Sequence, residues 1–296
     1  MREPSPTPFP YAVGGWIHRL RSDDAQPRPV RKPAPKPSAA APRADAAHLD
    51  FVYTKLLRAC GLSLSVTRRA GLRARGLSAE AIDALPCVDT PTPEQADVIA
   101  SALSANGLAG VPGFYRDRGH WRMVKCAPGF FCAYRDAQGR IVGLQYRLDE
   151  PFDGRKYIWL SSRGYNCGTS SGTPLHLAGR QYLADSPDLL ITEGSLKADC
   201  ISLLARCAVL AGGGVTCFGQ DFGERFKTQF PDKRAVVCFD ADWTRKKEVR
   251  AALKRLREQL REAGVPFIVR TWPAEFKGLD DYLLSLCRPV EMEAAA

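Results

Sequence analysis

The sequence predicts an α/β fold: a mostly parallel sheet with flanking helices in the last third, preceded by a smaller α+β subdomain and a disordered N-terminal tail. Three observations carry this prediction. From about Asp188 onward, apolar runs of strand length alternate with helical patterns, which implies parallel strands joined through covering helices. Between Gly110 and Gly179 the runs are short and broken by turns, as in antiparallel hairpins. Residues 1–48 hold ten of the 22 prolines, and such a segment buries too little apolar surface to order itself.

The tail, residues 1–48, carries basic proline runs such as Arg31-Lys32-Pro33-Ala34-Pro35-Lys36-Pro37 and reads as a solvated linker. Its apolar patch of Phe9, Tyr11, Trp16, Ile17 and Leu20 is a candidate docking segment. Residues 49–180 are expected to form the α+β subdomain and residues 181–290 the sheet domain. Leu49 to about Leu108 is helical in pattern, with Ser78 placed to cap one helix and Thr92-Pro93-Glu94-Gln95 spelling a capping box with proline at the first helical position. Strands follow at 121–124, 130–134, 141–147 and 156–160, with Asp136-Ala137-Gln138-Gly139 as a hairpin turn. The polar, glycine-rich stretch Ser161 to Gly172 is a loop. Then come a strand at 189–192, a helix at 196–205, strands at 208–210 and 235–239, a long helix at 245–263 and a strand at 265–270. The long helix aligns Val249, Ala252, Leu253, Leu256 and Leu260 on one stripe.

Composition narrows the class of partner. The 42 Lys+Arg against 32 Asp+Glu give a net charge of +10 over 296 residues, which favours a polyanion through phosphate contacts. Arg68, Arg69, Arg73 and Arg75 cluster on a helical stretch that either faces such a backbone or stands solvated. No apolar run reaches membrane-spanning length, so no membrane partner is expected and the cytoplasm is the expected location. The ten cysteines include no C-x-x-C pair, and His18, His48, His120 and His176 are scattered, so no zinc is expected.

Chemistry is expected at acids that end apolar strands, because ligands of open α/β sheets lie beyond the carboxyl ends of the strands. Glu193 follows Leu189-Leu190-Ile191-Thr192, and Gly194 after it leaves room for a phosphate or metal to approach. Asp240 ends Val236-Val237-Cys238-Phe239, and Asp242 two residues on shares its face if the chain stays extended. Adjacent carboxylates repel one another in a cleft, and a divalent cation neutralises them. Mg²⁺ suits such a site: it is hard, prefers oxygen ligands, and typically takes one or two carboxylates while keeping waters and substrate phosphates in its remaining positions.

The combination resembles the Toprim domain of bacterial replicative primases, topoisomerases and some nucleases. The matching motifs are Leu189-Leu190-Ile191-Thr192-Glu193-Gly194, Val209-Leu210-Ala211-Gly212-Gly213-Gly214 and Val236-Val237-Cys238-Phe239-Asp240-Ala241-Asp242, in the family's order. Upstream, Gly139-Arg140-Ile141-Val142-Gly143, Arg147, Lys156-Tyr157 and Ser161-Ser162 look like the primase segment before Toprim. Downstream, Trp272-Pro273 and Lys277-Gly278-Leu279-Asp280-Asp281-Tyr282-Leu283 are similar to the family's closing acidic region. The likeness covers residues 110–285 and is closest to primase-like Toprim proteins of plasmids, phages and other mobile elements. Two departures stand at the site: Trp243-Thr244-Arg245-Lys246-Lys247 follows Asp242 where primases usually have a further acid and an Ala-Gly step, and Lys197 replaces the Asp often seen four residues beyond the motif Glu.

The resemblance implies a primase-like nucleotidyltransferase that uses Mg²⁺ or Mn²⁺ to make short primers on single-stranded DNA from NTPs, in mobile-element or phage replication. Glu193, Asp240 and Asp242 would be catalytic and metal-binding. Arg140, Arg147, Lys156, Lys197, Gly194 and Gly213 would meet nucleic acid or nucleotide, with Lys277, Asp280 and Asp281 as further candidates. A replicative helicase on another chain is an implied partner. The alternatives are a Toprim nuclease and a non-catalytic DNA-binding accessory protein of a replication module.

Overall fold

The computed structural model describes residues 41–61, 63–85, 87–241 and 246–287. The expected tail up to residue 40, with its docking patch, and the expected ligand Asp242 lie outside the described residues. Helix α1 (Ala46–Ala59) begins where the Asp45 carboxylate accepts the His48 N–H, so the boundary expected at residue 48 falls inside a helix. Its Leu49, Val52, Tyr53, Leu56 and Leu57 form one buried stripe at helical spacing. Helices α2 (Val66–Arg73) and α3 (Ala79–Ala84) follow, and Ser78 caps α3 by accepting the Ala81 N–H. Helix α4 (Pro93–Leu103) opens on the expected capping box, with both the Thr92 and Gln95 halves formed.

The antiparallel part comprises β1 (Val88–Asp89), a β2 (Phe114–Asp117) and β3 (His120–Met123) hairpin, β4 (Gly129–Arg135), β5 (Ile141–Phe152) and β6 (Arg155–Trp159). Strands β1-β4-β5-β6 form one sheet, with β2 and β3 paired apart from it. The expected turn joins β4 to β5, where Asp136 Oδ1 accepts the Gln138 and Arg140 N–H groups. Strands β1 and β2 had no distinct sequence pattern, being two and four residues long.

The second sheet holds β7 (His176–Ala178), β8 (Asp188–Glu193), β9 (Val209–Gly212), β10 (Arg234–Val237) and β11 (Phe267–Val269). Its order is β11-β10-β8-β9-β7, parallel throughout except for β7. Helices α5 (Ser195–Ala205), α6 (Phe222–Gln229), α7 (Lys247–Glu262) and α8 (Leu279–Cys287) complete it. Alternate strand residues bury on opposite faces. Leu189, Ile191, Leu210, Ala235 and Val237 pack with Phe222 and Phe226 of α6 and the Leu253, Leu256 and Leu260 stripe of α7. Leu190, Val209 and Val236 pack with Ala198 and Ile201 of α5 and Leu279 of α8. Burial on both faces is what a parallel sheet requires, and it explains why β8 and β10 read as continuous apolar runs. No helix among the described residues is long and apolar enough to cross a membrane.

Candidate active site

Parallel pairing brings two of the expected acids together. Ile191 of β8 lies in register with Val237 of β10, and the Cys238 N–H continues the pairing to Ile191 O at 2.8 Å. Glu193 and Asp240 therefore leave neighbouring strands at their carboxyl ends, where the crevice of an open α/β sheet lies. Gly194 then turns the chain into α5 with φ +84°, a conformation that favours glycine, and its N–H reaches Gly212 O at 2.6 Å.

The carboxylates share donors. Glu193 Oε1 accepts the Asp240 backbone N–H at 3.1 Å and Lys197 Nζ at 3.2 Å. Lys197 Nζ also pairs with Asp240 Oδ1, and Lys277 Nζ stands 3.7 Å from Asp240 Oδ2. Among the described residues, buried Glu193 Oε2 has no hydrogen-bond partner. A third carboxylate joins from α8: Asp280 is 5% exposed, its Oδ1 has no partner among the described residues, and its Oδ2 accepts from Arg75 at 3.4 Å. A Cβ on Gly278 would stand 2.3 Å from Asp280 Oδ1 and 3.3 Å from Asp240 Oδ1, so these oxygens converge on the space that glycine leaves. Asp281 instead fixes the turn, with Oδ2 accepting the Gly278 N–H at 3.1 Å.

The electrostatics follow from burial. Desolvation raises the Glu193 carboxyl to about 7, with Lys197 pulling it down and Asp240 pushing it up. Burial works to lower the Lys197 ammonium, but the charges of Glu193, Asp240 and Asp280 outweigh it and hold the ammonium above its ordinary range. Asp280 is raised, chiefly by burial, with Lys197 opposing. Among the described residues no three Asp, Glu, His or Cys side chains are arranged to hold a metal ion. Glu193 and Asp240 nonetheless fit a hard cation: both are oxygen donors on one edge, and Glu193 Oε2 lacks a partner among the described residues.

Beside the acids lies a cavity of about 480 Å³ lined by Arg68, Arg75, Phe130, Arg147, Asp149 and Leu196, among others. Leu196 adjoins Lys197, and Arg75 reaches Asp280, so the cavity borders the acidic cluster. Arg68 is tied to Asp89 at 2.6 Å and to Asp149 at 3.0 Å, whereas the Arg147 guanidinium lies 5.7 Å from the Phe130 ring centre.

The remaining candidates separate. Lys197, expected to hold template or triphosphate, is instead engaged by Glu193 and Asp240. Arg140 grips Asp136 within the hairpin turn, with Nε donating to Oδ2 at 2.8 Å, and lines a different cavity with Arg43, Arg135 and Arg225. Lys156 is exposed on β6. Gly213 is crowded, because a Cβ there would stand 2.4 Å from the Trp159 ring and 2.7 Å from Gln145 Nε2. Sequence reasoning missed the pairing of Arg75 with Asp280 and the clearance at Gly278. The first spans 205 residues and has no local signal.

The fold and the paired acids together define an α/β protein with an antiparallel sheet ahead of a mostly parallel one and two acids meeting at the carboxyl edge of the parallel sheet. Residues 181–288 match the family model described as "Domain of unknown function (DUF3854)". No curated protein sequence matches the chain. Among solved structures, the chain resembles the zinc-binding and RNA polymerase domains of the Aquifex aeolicus primase at 18% identity and TM-score 0.60. That match covers 82% of this chain and 59% of the other, so the chain spans less than two thirds of that structure. The RNA polymerase domain of Mycobacterium tuberculosis primase DnaG gives 17% identity and TM-score 0.60, covering 81% and 82%. A DnaG primase catalytic domain bound to ssDNA gives 16% and 0.55, covering 81% and 75%. The chain thus has the fold of a bacterial primase catalytic core.

Proposed function

We propose that the chain is a primase-like nucleotidyltransferase core that extends short oligonucleotides on single-stranded DNA, within the replication of a mobile element or phage. The observation that supports this most is the convergence of Glu193 and Asp240 from adjacent parallel strands, beside an arginine-lined cavity, on a primase-core fold. The mobile-element setting rests on the sequence resemblance. In this reading Glu193, Asp240 and Asp242 would hold Mg²⁺ or Mn²⁺. Such an ion supplies charge neutralisation and alignment of the attacking and leaving oxygens of an in-line displacement.

The chain's own residues do the remaining work. Arg147 and Arg75 offer guanidinium donors to the phosphates of template or nucleotide, a contact that positions without reading sequence. Asp280 orients Arg75. The Glu193 acceptor keeps the Asp240 backbone, and with it the Asp240 carboxylate, at the strand end.

The test is extension. Purified protein with Mg²⁺ or Mn²⁺, NTPs and single-stranded DNA is expected to make short oligonucleotides, and Asp240→Ala is expected to abolish them. Absence of product over a broad template panel refutes the proposal. Shortening of a labelled strand would instead identify a nuclease. A second reading, DNA binding without turnover, draws support from Lys197, which already supplies the acids with a cation. It requires salt-sensitive binding that survives Asp240→Ala, with no product from the unaltered protein.

A further inference from the structure

Lys197 occupies the place where a cation would be sought. Its Nζ contacts Glu193 Oε1 and Asp240 Oδ1 together, and the three side chains are similarly enclosed, at 15%, 16% and 14% exposure. The location is electrostatically unfavourable for a lysine on helical grounds. Lys197 sits in the first turn of α5, where the helix presents its positive end. Burial adds a second cost. The carboxylates are what hold the ammonium there.

The charge count is then simple. With both acids ionised, Glu193 and Asp240 bring two negative charges, Lys197 returns one positive charge, the more exposed Lys277 adds a screened second at 3.7 Å, and Arg75 offsets the neighbouring Asp280. A divalent ion approaching this pair meets a site already near neutrality and must displace Nζ to take both Oε1 and Oδ1. It is not shut out, because among the described residues Glu193 Oε2 and Asp280 Oδ1 have no partner.

From this juxtaposition we propose that Lys197 is a tethered cation that competes with divalent metal for Glu193 and Asp240, and so sets a weak metal affinity in the free protein. The inference rests on the reading of these two acids as metal ligands. It adds a residue that tunes occupancy of the site, acting against the ligands.

The test is Mn²⁺ binding, followed by the loss of the free-ion electron paramagnetic resonance signal, with no reaction run. Lys197→Met is expected to bind Mn²⁺ at least tenfold more tightly than the unaltered protein. Lys197→Arg, which keeps the charge, is expected to stay weak, and Lys197→Met combined with Asp240→Asn to lose the gain. A purely structural role for Lys197 would leave affinity unchanged or lower it, so either result overturns the proposal while leaving the metal ligands in place. No Mn²⁺ binding by any of the four proteins overturns both the proposal and the metal reading beneath it. Should Lys197→Met fail to fold, Lys197→Gln is neutral, can still donate to both acids, and carries the same expectation.

Discussion

Asp240 donates its backbone N–H to Glu193 Oε1 at 3.1 Å, so one acid of the site is anchored by the other. The same oxygen also accepts from Lys197. Glu193 is therefore both a structural acceptor and a candidate ligand, and two substitutions separate these roles. Glu193→Ala leaves the Asp240 N–H and Lys197 short of a partner and is expected to cost about 1–3 kcal/mol in denaturant unfolding. Glu193→Gln keeps an acceptor oxygen and is expected to cost less than half as much, yet to reduce oligonucleotide extension about 100-fold or more by removing the charge. Equal activity in Glu193→Gln and the unaltered protein would exclude Glu193 from the chemistry.

Gly213 gives a steric prediction. It follows β9 directly, and a Cβ there would stand 2.4 Å from the Trp159 ring and 2.7 Å from Gln145 Nε2. Trp159 in turn packs on Tyr134, whose hydroxyl donates to Gln145 Oε1 at 2.8 Å. One methyl group therefore displaces a half-buried aromatic and a buried amide. Gly213→Ala is expected to destabilise by about 1–3 kcal/mol, read as a lower denaturant midpoint with an unchanged slope.

Arg147 lines the cavity next to the acids without an ion-pair partner among the described residues. Arg68, by contrast, is committed to Asp89 and Asp149. Arg147→Ala is thus expected to weaken single-stranded DNA binding with little loss of stability. The slope of log affinity against log salt should fall by about 0.7 for the one phosphate contact removed. An unchanged slope would take Arg147 out of the nucleic-acid surface.

What the sequence made legible were features with local causes. The apolar runs that end in Glu193 and Asp240 read as buried parallel strands because both faces of that sheet are covered. The Thr92–Gln95 box and the Ser78 cap were readable because their partners lie three residues away. Helix α6 has no counterpart in the sequence reading; its Gly223 lets it approach α7, since a Cβ there would stand 2.2 Å from Gln259 O, a contact visible only in the folded chain. Lys197 was legible as a departure from the family pattern, but its engagement with both acids depends on the pairing of β8 with β10. Asp280 and Arg75 meet only in the folded chain.

His176 ties the two sheets and tests that junction. It is 1% exposed on β7, its Nδ1 accepts the Arg135 N–H at 3.0 Å, and its Nε2 lies 3.1 Å from Asp199 Oδ1 on α5. With Nδ1 accepting, the ring proton sits on Nε2 and is donated to Asp199. One imidazole thus bridges β4 of the antiparallel sheet, β7 of the parallel sheet and the helix that carries Lys197. Replacement by Ala removes both bonds and opens a cavity, with an expected cost of about 2–4 kcal/mol. His176→Asn places an acceptor near the Nδ1 position but cannot span to Asp199, and is expected to recover about half of that loss. Denaturant midpoints of the three proteins decide the matter: if Asn is no better than Ala, the Arg135 bond contributes nothing measurable to stability.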